Sequence, residues 1–573
     1  MSSENEDLLR AAEAALAAGD WPKAQRSFEA ALERQPTAEG LLGLGAASEQ
    51  EEVRAAELIG ALCLATDLGT ELPFEHGLRS TLVAMRLAER VGLDVESAAQ
   101  TYYGCLLFHA GCTADAGTAA ELFDEGALVT HFTPAMFGTR GQAVTGIVRA
   151  LAGAEGAPAM RAVRVAGKLP MAIRARPRVF AAGCEVAQML SERLGMSASV
   201  RGLLAHLTER WDGKGQPGRL RGEEIPLPLR IAQVARDATL QQLVGGSQFA
   251  AEVIRARAGA AFDPAVAALL ADEATDILSL DGGRSAWDEV LAAEPASASV
   301  LRGQAIDDAL AALGDFADLA SPYLVGHAAG VARLAGAAAK RLGLSPADVV
   351  TVRRAALVHD VGRVAVSARI WHRAGPLTPD DWERVRLHAY HSERVLCRSA
   401  FLAGLVPVAT AHHERLDGSG YHRAATAAAL PRLARVLAAA DAYHAMTEPR
   451  PHRAAMPPAR AADLLGREAK AGRLDADSVA AVLEAAGHAA PALPRPAGLT
   501  EREAQVVALL GRGMQTKQVA RALGISAKTA DHHVQNAYAK IGVSTRAAAA
   551  LFAMRHGLLA WGELPMVPPH HRS

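Results

Sequence analysis

The chain contains the same phrase twice. Glu209-Arg210-Trp211-Asp212-Gly213-Lys214-Gly215-Gln216-Pro217 is echoed 205 residues later by Glu414-Arg415-Leu416-Asp417-Gly418-Ser419-Gly420-Tyr421-His422. Each phrase is followed by an apolar run holding one aspartate, Asp237 in 229–238 and Asp441 in 433–443. Each is preceded by two histidines at nearly one spacing: His76 and His109 are 33 residues apart, His327 and His359 are 32 apart. Self-similarity on this scale means a copied structural unit, so two homologous domains are expected, over residues 56–280 and 303–490. Residues 281–298, with Gly282, Gly283 and Pro295, suit a linker, and 491–498, with Pro491, Pro494 and Pro496, a stiffer one.

Composition decides what those units are made of. Half of the 573 residues are apolar but only 4% are aromatic, so the cores must be built from Ala, Leu and Val, which favours helices. An all-α fold is expected. Sixty Lys and Arg against 62 Asp and Glu give a formal charge of -2, which removes any global electrostatic argument for nucleic acid or membrane; charged function must be local. Cys63, Cys105, Cys112, Cys184 and Cys397 are odd in number, scattered and never CxxC, against both a disulfide framework and a zinc knuckle. The acidic start (Glu4, Glu6, Asp7) and the lack of a long uncharged apolar window point away from export and membrane insertion, towards the cytoplasm.

The second copy carries the chemistry. Helical periodicity places His327, His359, Asp360, His388, His412, His413 and Asp441 where core-facing apolar residues are expected. One such histidine is ordinarily a satisfied core residue. Five imidazoles and two carboxylates together would cost on the order of several kcal/mol each in desolvation unless they pair or share a cation. Imidazole and carboxylate without thiolate suit Fe, Mn, Zn or Co, and seven ligands exceed what one tetrahedral ion needs. Two metals bridged by Asp360, spaced to act on a phosphorus atom, satisfy the set.

These residues, read as His327, His359-Asp360-Val361-Gly362-Arg363, His388, His412-His413-Glu414, Asp417-Gly418-Ser419-Gly420-Tyr421, Asp441 and Arg450-Pro451-His452-Arg453, resemble the HD-GYP domain. That family is a branch of the HD superfamily of metal-dependent phosphodiesterases acting on cyclic di-GMP. The resemblance runs from 321 to about 455. It implies metal ligation by the seven residues above, with iron or manganese as the two divalent transition metals. It assigns Asp360 and Arg363 catalytic roles and Asp417, Gly418, Gly420 and Tyr421 to a substrate loop. Arg363 stands where the family has lysine, His422 replaces the proline of the GYP loop, and Tyr323 stands where some members have a further carboxylate, so a third metal is not expected. Residues 6–47 resemble a tetratricopeptide repeat through Gly19-Asp20-Trp21, Ala24, Phe28, Ala31 and Pro36, and are read as a helical cap over 1–55.

In the first copy the counterparts of His412, His413 and Asp360 are Leu207, Thr208 and Ala110, and the position of His388 falls near Ala182. That copy is expected to keep the fold, to bind no metal pair, and to serve a sensory or dimerising role.

The C-terminal residues change character. Thr500-Glu501-Arg502-Glu503 is a capping box, and Ser526 caps a later helix carrying Lys528, Thr529, His533, Asn536 and Lys540. Helix, Gly-containing turn and capped polar helix make a helix-turn-helix pattern, and eight basic residues stand against three acidic ones between Arg502 and Arg555 with Glu501 included. Residues 497–563 resemble the LuxR-type (NarL-like) DNA-binding domain. By that resemblance Lys528, Thr529, His533 and Asn536 face the major groove or its phosphates, and Lys540 the DNA backbone. The expected whole is two tandem HD-type domains and a helix-turn-helix domain. It would act as a homodimeric transcription regulator on double-stranded DNA and hydrolyse a cyclic dinucleotide. A non-catalytic nucleotide sensor and a phosphohydrolase of another nucleotide remain open.

Overall fold

The computed structural model describes residues 51–558, apart from 114–115, 154–156, 281–284, 296–298, 489–495, 513 and 557. The tetratricopeptide-like stretch 6–47 lies outside the described residues. The fold is all-α: among the described residues the strands are β1 (Glu52–Arg54) and β2 (Val300–Arg302), paired antiparallel with Val53 opposite Leu301. No helix of the described residues is long and apolar enough to cross a membrane.

Packing divides the chain into two compact units. Among the described residues, the first takes in those up to Gly326 together with Asp360–Ala403; the second takes in His327–His359 and those from Gly404.

In the first unit the helix Ala55–Gly69 is buried along most of its length, with Leu58, Ile59, Leu62 and Leu64 wholly inside. The helix Leu227–Arg257 packs on His76–Val91 and Val95–Leu106. The stretch 281–298, read above as a linker, contains a packed helix, Ala286–Ala292, with Trp287 and Val290 buried. The Tyr102 hydroxyl donates to the Val290 carbonyl at 3.0 Å, and Arg54 and Tyr103 both reach Glu294. An Ala- and Ser-rich composition looks like a linker until the tertiary partners of one tryptophan are known.

The repeated phrase forms the same device in each unit. Buried Glu209 accepts backbone N–H bonds from Gly218, Arg219 and Leu220, and buried Glu414 accepts them from Arg423 and Ala425. Asp212 accepts from the Lys214 N–H, as Asp417 does from that of Ser419. A carboxylate that satisfies two or three loop amides fixes a loop that has no strand or helix to hold it.

In the second unit the helix His327–Arg341 packs on Pro346–Val358, Arg432–Thr447 and Ala476–Ala485. Local chemistry sets where several helices begin. Ser345 caps Pro346–Val358 through the Asp348 N–H with Pro346 at the first position, and Thr378 caps Pro379–Arg386 in the first unit, with the Asp381 carboxylate accepting in return from the Thr378 N–H. The C-terminal helices are Glu501–Gly511, capped by Thr500 and Glu503, then Thr516–Ala522, Ala527–Ile541, capped by Ser526, and Arg546–Arg555. Val506, Leu510, Val519 and Val534 join the first three around one small core, which is the helix-turn-helix arrangement.

Candidate metal centre and nucleic-acid interface

Three of the candidate histidines stand just beyond helix ends. The helix Pro346–Val358 stops one residue before His359; Pro379–Arg386 stops two before His388; Val406–Ala409 stops three before His412. The last carbonyls of a helix have no N–H partner within it. Here imidazoles fill that need: Nδ1 of His359 meets the Ala356 carbonyl at 2.6 Å, Nδ1 of His388 the Val385 carbonyl at 2.5 Å, and Nδ1 of His412 the Ala409 carbonyl at 2.7 Å. A carbonyl only accepts, so each Nδ1 carries the proton and each Nε2 is left with a lone pair, the tautomer of a metal ligand.

His327 reaches the same state by another route. Its Nδ1 bonds Oε2 of Glu448 at 2.8 Å, and Glu448 is held by Arg450 at 2.9 Å and by His444 at 3.2 Å. Burial would raise the Glu448 carboxyl, but its bonds to His327 and His444 hold it well below the usual carboxylate range.

Within the second unit His327 Nε2 lies 3.2 Å from Asp441 Oδ1, His359 Nε2 3.9 Å from the same oxygen, and His413 Nδ1 3.9 Å from Oδ2. Burial opposes the charge on Asp441. The surrounding imidazoles of His327, His413 and His412 outweigh it and hold the carboxyl well below its ordinary value. The Tyr421 ring stacks on His413 with centroids 4.3 Å apart. Gly420 is needed there, because a Cβ on it would sit 2.5 Å from the Glu414 Cα.

Within the first unit Asp360 faces His388 Nε2 at 3.2 Å and Arg363 Nη2 at 2.7 Å. The Arg363 guanidinium lies over the Trp371 ring, 5.7 Å from its centroid. The Gly362 N–H donates to Ser392 Oγ at 2.9 Å, and a side chain at Gly362 would run into the His388 carbonyl and the Ser392 amide. The glycine of the His-Asp-x-Gly run therefore sets the approach of His388 to Asp360. His327, His359, Asp360, His388, His412 and Asp441 are at most 2% exposed. Buried imidazole nitrogens with lone pairs directed at buried carboxylates form a donor set that fits divalent transition metals.

The first copy meets the same electrostatic problem with arginine. Asp237 is ion-paired with Arg257 and accepts a bond from Gln241 at 3.2 Å. Arg236 lies over the Phe108 ring, and burial together with its charge pushes the His76 imidazole down to about 3 and that of His109 well below its usual value. Both stay neutral, and the cation in this copy is a guanidinium of the chain.

The family model described as HD domain matches residues 179–266 and 312–478. A 3'3'-cGAMP-specific phosphodiesterase of Vibrio cholerae serotype O1 is 30% identical over 409 residues, 70% of this chain and 88% of that protein. The chain belongs to the HD-GYP family of HD-domain phosphodiesterases. A cyclic di-GMP phosphodiesterase of Thermotoga maritima is 35% identical over 129 residues, 22% of this chain and 35% of that protein. The crystal structure of a cyclic GMP-AMP specific phosphodiesterase of Vibrio cholerae shares the fold, with TM-score 0.53 and 24% identity over 76% of this chain and 98% of that one. As in the HD-GYP family at large, a metal-dependent phosphohydrolase is the chemistry of such a domain. Residues 497–553 match the model described as bacterial regulatory proteins, luxR family.

In that C-terminal domain Lys528 and Thr529 are exposed in the first turn of Ala527–Ile541, His533 and Asn536 are half-buried, and Asn536 Nδ2 lies 3.2 Å from His532 Nε2. Lys540 Nζ bonds Glu503 at 2.6 Å and the Gly498 carbonyl at 3.2 Å, tying the long helix to the first one.

Glu448 and His444 escaped the sequence reading. Glu448 stands two residues before the Arg450-Pro451-His452-Arg453 run, and that proximity was the available signal. Replacing Glu448 with Ala should weaken metal retention by about 10- to 100-fold, because the partner that orients His327 is lost. Metal content after dialysis against graded chelator checks this, with unchanged helical circular dichroism as control.

Proposed function

We propose that the second copy, 303–490, holds two divalent transition metals, iron or manganese. Its ligands would be His327, His359, Asp360, His388, His412, His413 and Asp441. The reading rests above all on the Nδ1-to-carbonyl bonds, which prepare several imidazoles for the same task. Bound there, the metals supply Lewis-acid activation of water and of a phosphodiester. The chain's own groups do the rest. Arg363, held against Asp360 and the Trp371 face, keeps a fixed positive charge beside the reacting phosphate. Tyr421, stacked on His413, offers an aromatic surface to a base, and Asp417, Gly418 and Gly420 shape its loop. Water oxygen joins phosphorus, the bond from phosphorus to the ribose oxygen breaks, and a cyclic dinucleotide opens to a linear one.

Cyclic di-GMP is the substrate this reading puts first. Cyclic GMP-AMP is the second, because the relative aligned over 70% of the chain is named for that specificity and the loop here reads Gly-Tyr-His. The first copy, 56–280, is assigned a non-catalytic role because arginines occupy its electrostatic place. The C-terminal domain, 497–563, is assigned to double-stranded DNA as a homodimer in the cytoplasm, matching two half-sites. Its helix Arg546–Arg555 lies against Ala427–Ala429, just beyond the Tyr421 loop, which gives nucleotide occupancy a physical route to the DNA-binding helices.

Metal-replete full-length protein should convert cyclic di-GMP or cyclic GMP-AMP to the linear dinucleotide, and Asp360→Ala should abolish conversion. Binding without turnover would make the domain a sensor, and neither would remove cyclic dinucleotides as ligands. Lys528→Ala should weaken DNA binding and lower the salt slope by about one unit, read by fluorescence anisotropy at several salt concentrations. Lys540→Ala should instead lower the melting temperature of the domain through loss of the Glu503 bond.

A further inference from the structure

The first unit encloses a cavity of about 660 Å³, a size ordinary for small-molecule sites. It lies where the repeat relates the first copy to the metal centre of the second: its lining includes His109, the counterpart of His359, and Leu207 and Thr208, the counterparts of His412 and His413. Most of the wall is apolar, with Phe108, Phe123, Phe132, Phe180, Leu122 and Met136.

The polar groups inside are neutral. His109 Nδ1 lies 3.3 Å from Cys112 Sγ, and burial and Arg236 keep the imidazole uncharged. The Thr113 side chain is 3% exposed and its Oγ1 has no hydrogen-bond partner. The arginines of the lining are already paired with carboxylates: Arg384 with Glu125, Arg373 with Asp381 at 2.7 Å, and Arg369 with Asp124 at 3.6 Å. A phosphate would have to break one of these pairs to find a cation. An uncharged molecule breaks none, and a hydroxyl or carbonyl on it would satisfy Thr113.

We propose that this cavity is a binding site for a neutral, mainly apolar small molecule with one hydrogen-bonding group, held by the phenylalanine wall and read by Thr113 and the His109–Cys112 pair. The site is connected to the chemistry of the second copy. Part of its wall is Val364, Val366 and Ile370, which directly follow Asp360 and Arg363 in the chain. Val366 and Ile370 pack with Val385, Trp371 and Leu377. Trp371 Nε1 donates to the Arg363 carbonyl at 3.3 Å, and the Val385 carbonyl receives the His388 imidazole. One packed cluster thus joins the cavity to Asp360, Arg363 and His388, so a molecule in the cavity bears on groups of the metal centre.

The probe of choice is 4-iodophenol, which is neutral at pH 7, apolar and carries one hydroxyl. Crystals of the full-length protein soaked in it should show an anomalous iodine peak inside the cavity with the hydroxyl at Thr113 or His109. In solution the neutral fluorophore N-phenyl-1-naphthylamine should bind saturably, one per chain, and be displaced by 4-iodophenol. Ala119→Trp and Ala175→Trp, which fill the cavity from two different helices, should each weaken that binding at least tenfold. Absence of an iodine peak in the cavity, or fluorophore binding unchanged in a folded filling variant, would overturn the proposal. Both readouts are of binding, so their failure is distinct from failure of the hydrolytic reading.

Discussion

The second copy depends on one interaction used repeatedly: an imidazole Nδ1–H bonded to a carbonyl that a helix end has left without a partner. Ala356, Val385 and Ala409 each present such a carbonyl, and His359, His388 and His412 each answer it. The bond serves two ends at once. It satisfies a buried acceptor that would otherwise cost about 1–3 kcal/mol, and it fixes the ring and tautomer so that Nε2 keeps its lone pair. The helix stops and the ligand orientation are therefore one feature, and His327 obtains the same result from Glu448 where no carbonyl is in place.

The two copies answer one electrostatic demand in different ways. Asp441 sits among the imidazoles of His327, His359 and His413. Asp237 already has Arg257, and His76 and His109 lie within the field of Arg236. A guanidinium anchored in the chain cannot leave and cannot bind water as a Lewis acid. What the first copy retains is the loop device of Glu209 and, next to His109, an apolar cavity.

Much of this architecture was legible in the residues. The repeated phrase marked the two loops held by Glu209 and Glu414, and Ser345, Thr378, Thr500 and Ser526 marked helix starts because capping is a local interaction between neighbours in sequence. The seven candidate ligands stood out through their chemistry at core positions. Helix ends at His359 and His388 were not legible, since apolar periodicity continues past them and the stop is set by packing around the centre. Trp287 was hidden in a stretch of Ala and Ser for the same reason: its burial is a tertiary fact. Nor does periodicity reveal that Asp360–Ala403 packs with the first copy rather than with the helices on either side of it in sequence.

The central claim is that the metal charge belongs to the second copy and that arginine replaces it in the first. Anomalous diffraction at the iron and manganese edges, from crystals of the metal-replete full-length protein, tests it directly. The account predicts two peaks beside Asp360 and Asp441 and none beside Asp237. A peak between His76, His109 and Asp237, or an empty map around Asp360 and Asp441, would contradict it.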